Sequence, residues 1–329
     1  MRTALTRLPG HPDEACDLVA ETIVDEYLRR DVNSRVRLTV SGGRGVMFVS
    51  GDVLSQADFD VSALVRRTLG SLGITDDIEP FVSLEPVAAE RVHAARLPAE
   101  LPVTVTGFAS NETIEGLPRH VVAARRIARA LSDLRDGDSD FFWLGPDAEV
   151  SIVENANASM RALLRVEHGT ESLEKIRGLL KERLSGALDG AEIEVNPTGP
   201  CERRGLVCVS GASNRPQMLY GSGWPTTDRG IGHDPSSASK AGLWVARAAA
   251  LRAIRNGASA ALVQATYLPG EMKPHAFKIR DERGRDLSSI VPIENMSLER
   301  VTREWLRPGL NVDAARAGIV GDASLPWET

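Results

Sequence analysis

Pairs of short apolar strands that alternate with long amphipathic helices constrain the fold of this 329-residue chain more than any other feature. Apolar residues recur at helical spacing from Asp13 to Arg30, after which Val36, Leu38 and Val40 alternate with polar neighbours, and Val46 to Val53 runs back beyond a glycine turn. The sequence has no Gly-x-Gly-x-x-Gly segment, no P-loop and no short βαβαβ rhythm. This pattern predicts an α+β fold of layered sheets and helices, not a doubly wound parallel sheet.

The same alternation continues along the rest of the chain. Helices are predicted over residues 60–72, 118–134, 171–188 and 235–256, and near 298–306. Strands are predicted over residues 148–153, 161–166, 260–267 and 275–280. Proline, glycine and polar residues mark linkers near 97–102 and 196–200, so we predict domains at 1–97, 101–196 and 197–329.

Composition excludes several classes of protein. The net charge of -6 argues against general nucleic-acid binding, and no apolar run reaches the roughly 18 residues of a membrane span. The first residues lack the apolar stretch of a secretory signal. Cys16, Cys201 and Cys208 form no metal-ligand spacing and leave one cysteine over in any disulfide scheme. These features predict a cytoplasmic protein in a reducing compartment.

The segment Gly10-His11-Pro12-Asp13 places an imidazole and a carboxylate at the start of the first helix. Pro12 suits the first helical turn, and Asp13 lies where the helix dipole favours an anion. A ligand docked there would meet His11, Asp13 and free backbone N–H groups together. His11 could also serve only as a helix cap and Asp13 only as a favourable first-turn charge. The segments that follow along the chain favour the functional interpretation.

The chain resembles the S-adenosylmethionine synthetases, or methionine adenosyltransferases, in a series of segments that occur in the same order. The family opens with Gly-His-Pro-Asp-Lys, and this chain has Glu14 in place of that lysine. The remaining segments that resemble family motifs are Val49 to Val53, Phe108 to Thr113, Trp143 to Ala148, Asn196 to Gly199, Gly232 to Ser236 and Pro326 to Glu328. The resemblance implies three similar sheet-plus-helix subdomains around a pseudo-threefold axis.

The resemblance also implies an activity, which is adenosyl transfer from ATP to the sulfur of methionine. By position in the motifs, His11 and Asp13 would be catalytic, and Asp13 would hold a magnesium ion. The positions implied for nucleotide or substrate binding are Asp52, Asn111, Asp147, Glu149, His233, Asp234, Ser237 and Lys240. Asp52 corresponds to a family glutamate that holds the methionine amino group. Because Asp52 is one methylene shorter, a shifted or larger amino acid is as plausible a substrate as methionine.

The departures from the family pattern concern the groups that bind phosphate and metal. Glu149 stands in place of a lysine that touches the triphosphate. His233, Ser237 and Ser239 stand in place of two further lysines and a metal-binding aspartate. Thr39 replaces the glutamate of the potassium-binding strand, which puts the potassium site of the family in doubt here. Losing one electrostatic donor typically costs about 3 to 4 kcal/mol of transition-state stabilisation.

The sequence therefore leaves two classes of function open. The first is an adenosyltransferase that uses ATP or a related adenine nucleotide or nucleoside with methionine or an analogue, with nearby basic residues as substitute cations: Arg203, Arg204, Arg215, Arg229 and Lys240. The second is a non-catalytic homologue that acts as a regulatory or partner subunit or binds S-adenosylmethionine. The family dimerises through sheet faces, so we expect a homodimer or a heteromer with a complete synthetase.

Overall fold

Three β-hairpins each form the centre of a separate sheet. The computed structural model describes residues 1–187, 191–224 and 228–329, and within these ranges it has eleven strands and seven α-helices. The strands are β1 (Arg2–Arg7), β2 (Arg35–Gly43), β3 (Val46–Leu54), β4 (Glu79–Pro86), β5 (Val103–Ser110), β6 (Ala148–Glu154), β7 (Met160–Val166), β8 (Glu192–Val195), β9 (Gly211–Ala212), β10 (Ala260–Tyr267) and β11 (Ala276–Asp281). The helices are α1 (Pro12–Arg30), α2 (Val61–Ser71), α3 (Val92–Ala95), α4 (Arg119–Gly137), α5 (Leu173–Leu184), α6 (Ala238–Arg255) and α7 (Leu310–Arg316).

The three sheets repeat one arrangement. Their strand orders are β4-β3-β2-β9, β1-β6-β7-β8 and β11-β10-β5. A helix precedes each antiparallel hairpin: α1 precedes β2–β3, α4 precedes β6–β7 and α6 precedes β10–β11. In the first two sheets a second helix, α2 or α5, leads to a further strand, β4 or β8, that pairs in parallel with the second strand of the hairpin. These repeated sheet-plus-helix units confirm the α+β fold class predicted from the sequence.

Each sheet also takes one strand from a distant part of the chain. β1 pairs with β6, β5 pairs with β10, and β9 pairs with β2, all antiparallel. Sheet pairing therefore connects the three units to one another. The domain boundaries near residues 97 and 196 stay a prediction.

The helices α1, α4 and α6 cover the sheets and contribute much of the core. On α1, the apolar positions that define its helical periodicity are buried, including Cys16, Val19 and Ile23. Helix α6 is buried along most of its length, and Trp244 stacks on Trp327 with ring centroids 4.2 Å apart. Fully burying each such large apolar side chain contributes roughly 1.5 to 3 kcal/mol to stability.

Several predicted elements differ from the observed ones. The helix expected over residues 171–188 is observed as α5, followed by a 3₁₀ turn at Ser185–Ala187, and residue 188 lies outside the described ranges. The helix expected near 298–306 is a π-helical turn at Val301–Trp305. Among the described residues, no helix is both long enough and apolar enough to cross a membrane.

Candidate functional site

The His11 segment is held against the start of β6 by a close backbone approach. His11 is the N-cap of α1, and its Nδ1 accepts a hydrogen bond of 3.2 Å from the Asp13 N–H. The alternative capping role is therefore observed, and the catalytic role of His11 stays a prediction. The Gly10 N–H donates to the Pro146 carbonyl at 3.1 Å. A Cβ on Gly10 would lie 2.4 Å from that carbonyl oxygen, so only glycine fits there. The contact places His11 beside the residues that follow Pro146.

Asp13 is buried and surrounded by donors. Its Oδ2 lies 3.1 Å from Arg7 Nη1, and its Oδ1 accepts the Ala212 N–H at 3.1 Å. Arg215 Nε is 3.4 Å from the same Oδ1. The side chain of Asp13 is 4% exposed, so these contacts replace most of its hydration.

Asp147 and Glu149 share one guanidinium. Arg204 Nε is 3.2 Å from Asp147 Oδ2, and Arg204 Nη2 is 3.0 Å from Glu149 Oε2. Asp147 is fully buried and also accepts the Gly205 N–H at 2.9 Å. Burial tends to raise the pKa of Glu149, but Arg204 and other nearby cations outweigh it and hold that pKa below its ordinary value. Glu149 is therefore ionised at neutral pH.

The imidazole of His11 faces this carboxylate. Its Nε2 lies 3.6 Å from Glu149 Oε1. Burial lowers the pKa of His11 below its ordinary value, with the Asp147 carboxylate opposing and Arg7 reinforcing the shift. The ring is therefore neutral near pH 7. Because Nδ1 accepts from Asp13, the proton lies on Nε2, and His11 is a hydrogen-bond donor into the site.

The site is balanced in charge. Three carboxylates face three guanidiniums within 3.5 Å: Asp13, Asp147 and Glu149 with Arg7, Arg204 and Arg215. Arg204 and Arg215 were predicted as substitute cations, and the structure brings both to the motif residues. Arg7 was not predicted, because it lies on an edge strand, β1, in which apolar and polar residues do not alternate cleanly. A highly charged triphosphate would compete here with three carboxylates already paired to the arginines.

A magnesium ion at Asp13 would have to displace donors that already contact this carboxylate. Both carboxylate oxygens of Asp13 are engaged by Arg7, Arg215 and the Ala212 N–H. No group of three or more His, Cys, Asp or Glu side chains in the described part of the chain is arranged to hold a metal. These side chains do not fit the ion in this arrangement, so we derive no chemical step through it. Asp13 as a magnesium ligand stays a prediction.

The second predicted segment forms a closed cluster of hydroxyls around His233. Its Nδ1 lies 3.0 Å from Ser239 Oγ and 3.4 Å from Ser237 Oγ, and the two hydroxyl oxygens are 3.0 Å apart. Burial lowers the pKa of His233, and Lys240 and Arg37 add to the shift. The cluster is therefore neutral near pH 7, and its two hydroxyls and the imidazole Nδ1 contact one another.

Asp234 and Lys240 are turned into the protein. Asp234 Oδ2 accepts the Val36 N–H at 3.0 Å, and its Oδ1 accepts from Ser236. Lys240 Nζ donates to Glu21 Oε2 at 2.6 Å and to Asn311 Oδ1 at 2.9 Å, and its side chain is 2% exposed. Both residues therefore hold elements together, and any contact with a ligand stays a prediction.

A row of acidic side chains on α1 holds the segment around His233 in place. Asp13, Asp17, Glu21 and Asp25 are spaced four apart and lie on one helix face. Asp17 pairs with Arg229 at 2.6 Å, Gly232 N–H donates to Glu21 at 3.1 Å, and Asp25 accepts from Asn311 and Val312. Glu21 is eight residues from Asp13, about 12 Å along the axis. No hydrogen bond or ion pair within the described ranges joins the His11 segment directly to the His233 cluster.

Two predicted positions lie apart from these groups. Asp52 is on β3, is 41% exposed and pairs with Arg91 at 2.9 Å. Asn111 is exposed just after β5, where its N–H donates to the Ser259 carbonyl, and neighbouring Glu112 pairs with Arg2. Their roles in binding stay predictions.

Comparison with known proteins agrees with the motifs. Residues 3–91 match the family model described as S-adenosylmethionine synthetase, N-terminal domain. The structure is similar to that of an unusual S-adenosylmethionine synthetase from Campylobacter jejuni, with a TM-score of 0.80 and 23% identity, over 99% of this chain and 96% of that one. Residues 3–91 therefore resemble the N-terminal domain of S-adenosylmethionine synthetases, and the chain as a whole has the fold of the Campylobacter jejuni synthetase.

Proposed function

We propose that this protein is an adenosyltransferase that joins C5′ of an adenine nucleoside carrying few phosphates to a thioether sulfur, of methionine or an analogue. The observation that carries the proposal is the ionised Glu149, paired with Arg204 and facing the Nε2–H of His11. A carboxylate at this position disfavours a triphosphate and attracts the positive charge that forms on sulfur.

The mechanism uses the donors at the start of α1. The sulfur lone pair attacks C5′ and forms the S–C5′ bond, while the C5′–O bond breaks and its electron pair remains on the departing phosphate oxygen. His11 Nε2–H donates a hydrogen bond to that oxygen as negative charge develops on it. Arg7 and Arg215, which flank Asp13, attract the leaving phosphate.

Charge balance explains the preference for fewer phosphates. Two unit charges about 4 Å apart interact by about 4 kcal/mol at an effective dielectric of 20. A triphosphate beside Glu149 meets this repulsion, and the nearest cation, Arg204, already contacts both Glu149 and Asp147. A monophosphate would need to recruit only one of the three guanidiniums.

A second candidate is a non-catalytic homologue that binds S-adenosylmethionine or pairs with a complete synthetase. The cluster of His233, Ser237 and Ser239 favours the non-catalytic homologue, since none of these side chains is a cation near pH 7 that could pair with a phosphate. Lys240, the basic residue of the same segment, is directed at Glu21.

An activity assay separates the two candidates. Purified protein is mixed with methionine, magnesium, potassium and, in turn, ATP, ADP or AMP, and S-adenosylmethionine is measured by mass spectrometry. We expect product with at least one nucleotide and its loss in His11→Ala, while His275→Ala, at an exposed histidine, keeps it. Binding of S-adenosylmethionine by calorimetry with no product from any nucleotide would support the non-catalytic homologue.

We also propose that the protein forms a homodimer through an open sheet face. Phe48 on β3 and Phe81 on β4 are each 50% exposed and stack with centroids 5.3 Å apart. Exposed stacked aromatic side chains are typical of interfaces. Sedimentation at micromolar concentration should give a dimer, and Phe48→Ser with Phe81→Ser should give a monomer. A monomeric unmodified protein would contradict this, and would leave a heteromer with a complete synthetase to be tested by mixing.

A further inference from the structure

A cavity of about 540 Å³ lies between the outer edge of β1, helix α4, residues 216–219 and the end of α7. Of the residues that form the candidate site, only Arg7 also lines this cavity. The volume falls within the range of small-molecule sites, which is roughly 300 to 1,000 Å³. The cavity is therefore a separate place where the protein could take a ligand.

Positive charge dominates the cavity wall. Four arginines line it, Arg7, Arg125, Arg129 and Arg316, against one carboxylate, Glu14, which accepts from the Gln217 amide at 2.6 Å. Arg7 is engaged by Asp13. In the described part of the chain, no carboxylate lies closer than 3.9 Å to the other three guanidiniums.

Arg125 is the least compensated of these cations. Its guanidinium donates to the carbonyls of Gly318 and Val320, and no carboxylate in the described part of the chain lies within ion-pair distance of it. Burial, with a contribution from Arg247, lowers the pKa of Arg125 to about 10. The closest ion-pair partner of Arg129 is Asp322 at 3.9 Å, and Arg316 has none within the described ranges. An anion that entered the cavity would meet Arg125 and Arg316, which have no carboxylate partner in the described ranges, and Arg129, whose partner Asp322 is 3.9 Å away.

The remainder of the wall is apolar. Its apolar side chains come from β1, α1, α4 and the loop before α6, including Leu5, Leu18, Val121, Met218 and Leu219. Leu5 is 40% and Met218 42% exposed, which leaves part of this surface in contact with water. A ligand with an apolar body would cover this apolar surface, and each Å² removed from water would contribute roughly 25 cal/mol to the free energy of binding.

The edge of β1 adds backbone groups. Thr3 directs both its N–H and its carbonyl away from β6, to the side chain and the N–H of Ser222. Because strand residues alternate with a period of two, Leu5 directs its N–H and carbonyl to the same edge, which is the cavity wall. The site thus offers a donor and an acceptor beside the arginines.

We propose that this cavity binds a small anionic amphiphile, a molecule with an apolar body and a terminal phosphate, carboxylate or sulfonate. The arginines hold the anionic head, and the side chains of β1, α1 and α4 cover the body. The proposal does not depend on the adenosyltransferase activity. Because Arg7 is shared, an anion here competes with Asp13 for it, and occupation affects the candidate site.

The probe for the test is 8-anilinonaphthalene-1-sulfonate, whose fluorescence rises on binding, with uncharged N-phenyl-1-naphthylamine for comparison. We expect one saturable site for the sulfonate and weaker binding of the uncharged probe. Arg129→Gln with Arg316→Gln should raise the sulfonate Kd at least about fivefold. Arg303→Gln, at an exposed arginine elsewhere, should leave it unchanged. Equal affinity in the double variant, or equal affinity for both probes, would overturn the proposal.

A second variant tests the cavity without changing charge. Ser132→Trp fills the cavity from α4, and Ser289→Trp places the same ring at an exposed position. Only the first should abolish binding of the sulfonate; binding that survives it would locate the probe elsewhere and contradict the site. Displacement by hexyl phosphate, hexanoate or hexanol then identifies the preferred head group. Displacement by hexanol as strong as by both anions would also overturn the proposal.

Discussion

Two segments differ most from the synthetase motifs, one around Glu149 and one around His233, and their replaced side chains find partners in different ways. Around Glu149 the replacement is charged, and the chain supplies Arg204 and Arg7 to match it. Around His233 the replacements are neutral and satisfy one another through hydroxyl and imidazole contacts. The first segment keeps charged groups near His11 that a ligand can recruit. The second forms a structural contact with α1.

The difference shows why a count of lost lysines does not describe the site. At Glu149, a guanidinium from outside the motifs, Arg204, supplies the positive charge that the family lysine would bring. The remaining basic residue of the second segment, Lys240, is paired inside the protein. Ligand chemistry is therefore expected at the start of α1, and stability is expected to depend on the middle of α1.

The largest expected effect is on stability, at Lys240. Lys240→Met leaves Glu21 buried without its cation, so the free energy of unfolding should fall by about 3 to 5 kcal/mol. Urea unfolding measures this, and Glu21→Gln combined with Lys240→Met should recover part of the loss. Lys273→Met, at an exposed pair, should cost less than about 1 kcal/mol. Similar losses from Lys240→Met and Lys273→Met would show that Lys240 is not a structural anchor.

The second prediction concerns pH and Asp17. Burial raises the pKa of Asp17 to about 7, with Arg229 opposing the shift. The folded state then binds a proton that the unfolded state releases at its ordinary pKa near 4, so stability falls as pH rises from about 4 to about 7. The slope from this group is at most about 1.4 kcal/mol per pH unit. Asp17→Asn should remove that slope in urea unfolding between about pH 5 and pH 8. An unchanged slope would contradict the assignment to Asp17.

The third prediction tests Glu149 directly. Glu149→Lys replaces a repulsive charge by an attractive one beside Arg204, so the ATP Kd from calorimetry should fall about tenfold, or about 1.4 kcal/mol. Turnover should not be restored, because Ser237 and Ser239 remain. Glu299→Lys makes the same charge change at an exposed position and should leave the Kd unchanged. If Glu149→Lys left the Kd unchanged while His11→Ala abolished binding, the phosphates would lie elsewhere.

The smallest effect is expected in the hydroxyl cluster. Ser239→Ala removes the two neutral hydrogen bonds of this hydroxyl, to His233 and Ser237, so the free energy of unfolding should fall by roughly 0.5 to 1.5 kcal/mol for each. Binding of adenosine, measured by calorimetry, should not change. A loss of adenosine binding in this variant would place the ligand at the His233 segment, and would contradict the conclusion that this segment is only structural.

The sequence predicted the elements that carry strong periodicity. The helices α1, α2 and α4 and the hairpins β2–β3, β6–β7 and β10–β11 are close to their expected bounds, because one face of each is apolar and buried. The strands β1, β4 and β5 were not predicted. In β1 and β4 apolar and polar residues do not alternate cleanly, and the partners of β1 and β5 are distant in sequence.

The candidate site was predicted only in part, for a related reason. His11, Asp13, Asp147 and Glu149 could be named because they lie in short ordered motifs. The role of Arg7 depends on the pairing of β1 with β6, which no local pattern reveals. Likewise, Lys240 follows the motif in sequence, but the helix that carries it directs its ammonium group towards α1.

The most direct test compares two ligands in calorimetry with the unmodified protein. S-adenosylmethionine carries a sulfonium cation and no phosphate, whereas ATP carries the triphosphate that Glu149 repels. A site in which Glu149 is ionised and paired with Arg204 predicts that S-adenosylmethionine binds at least about tenfold more tightly than ATP. ATP binding as tight as or tighter than S-adenosylmethionine would show that the arginines serve the triphosphate, and would contradict the central claim.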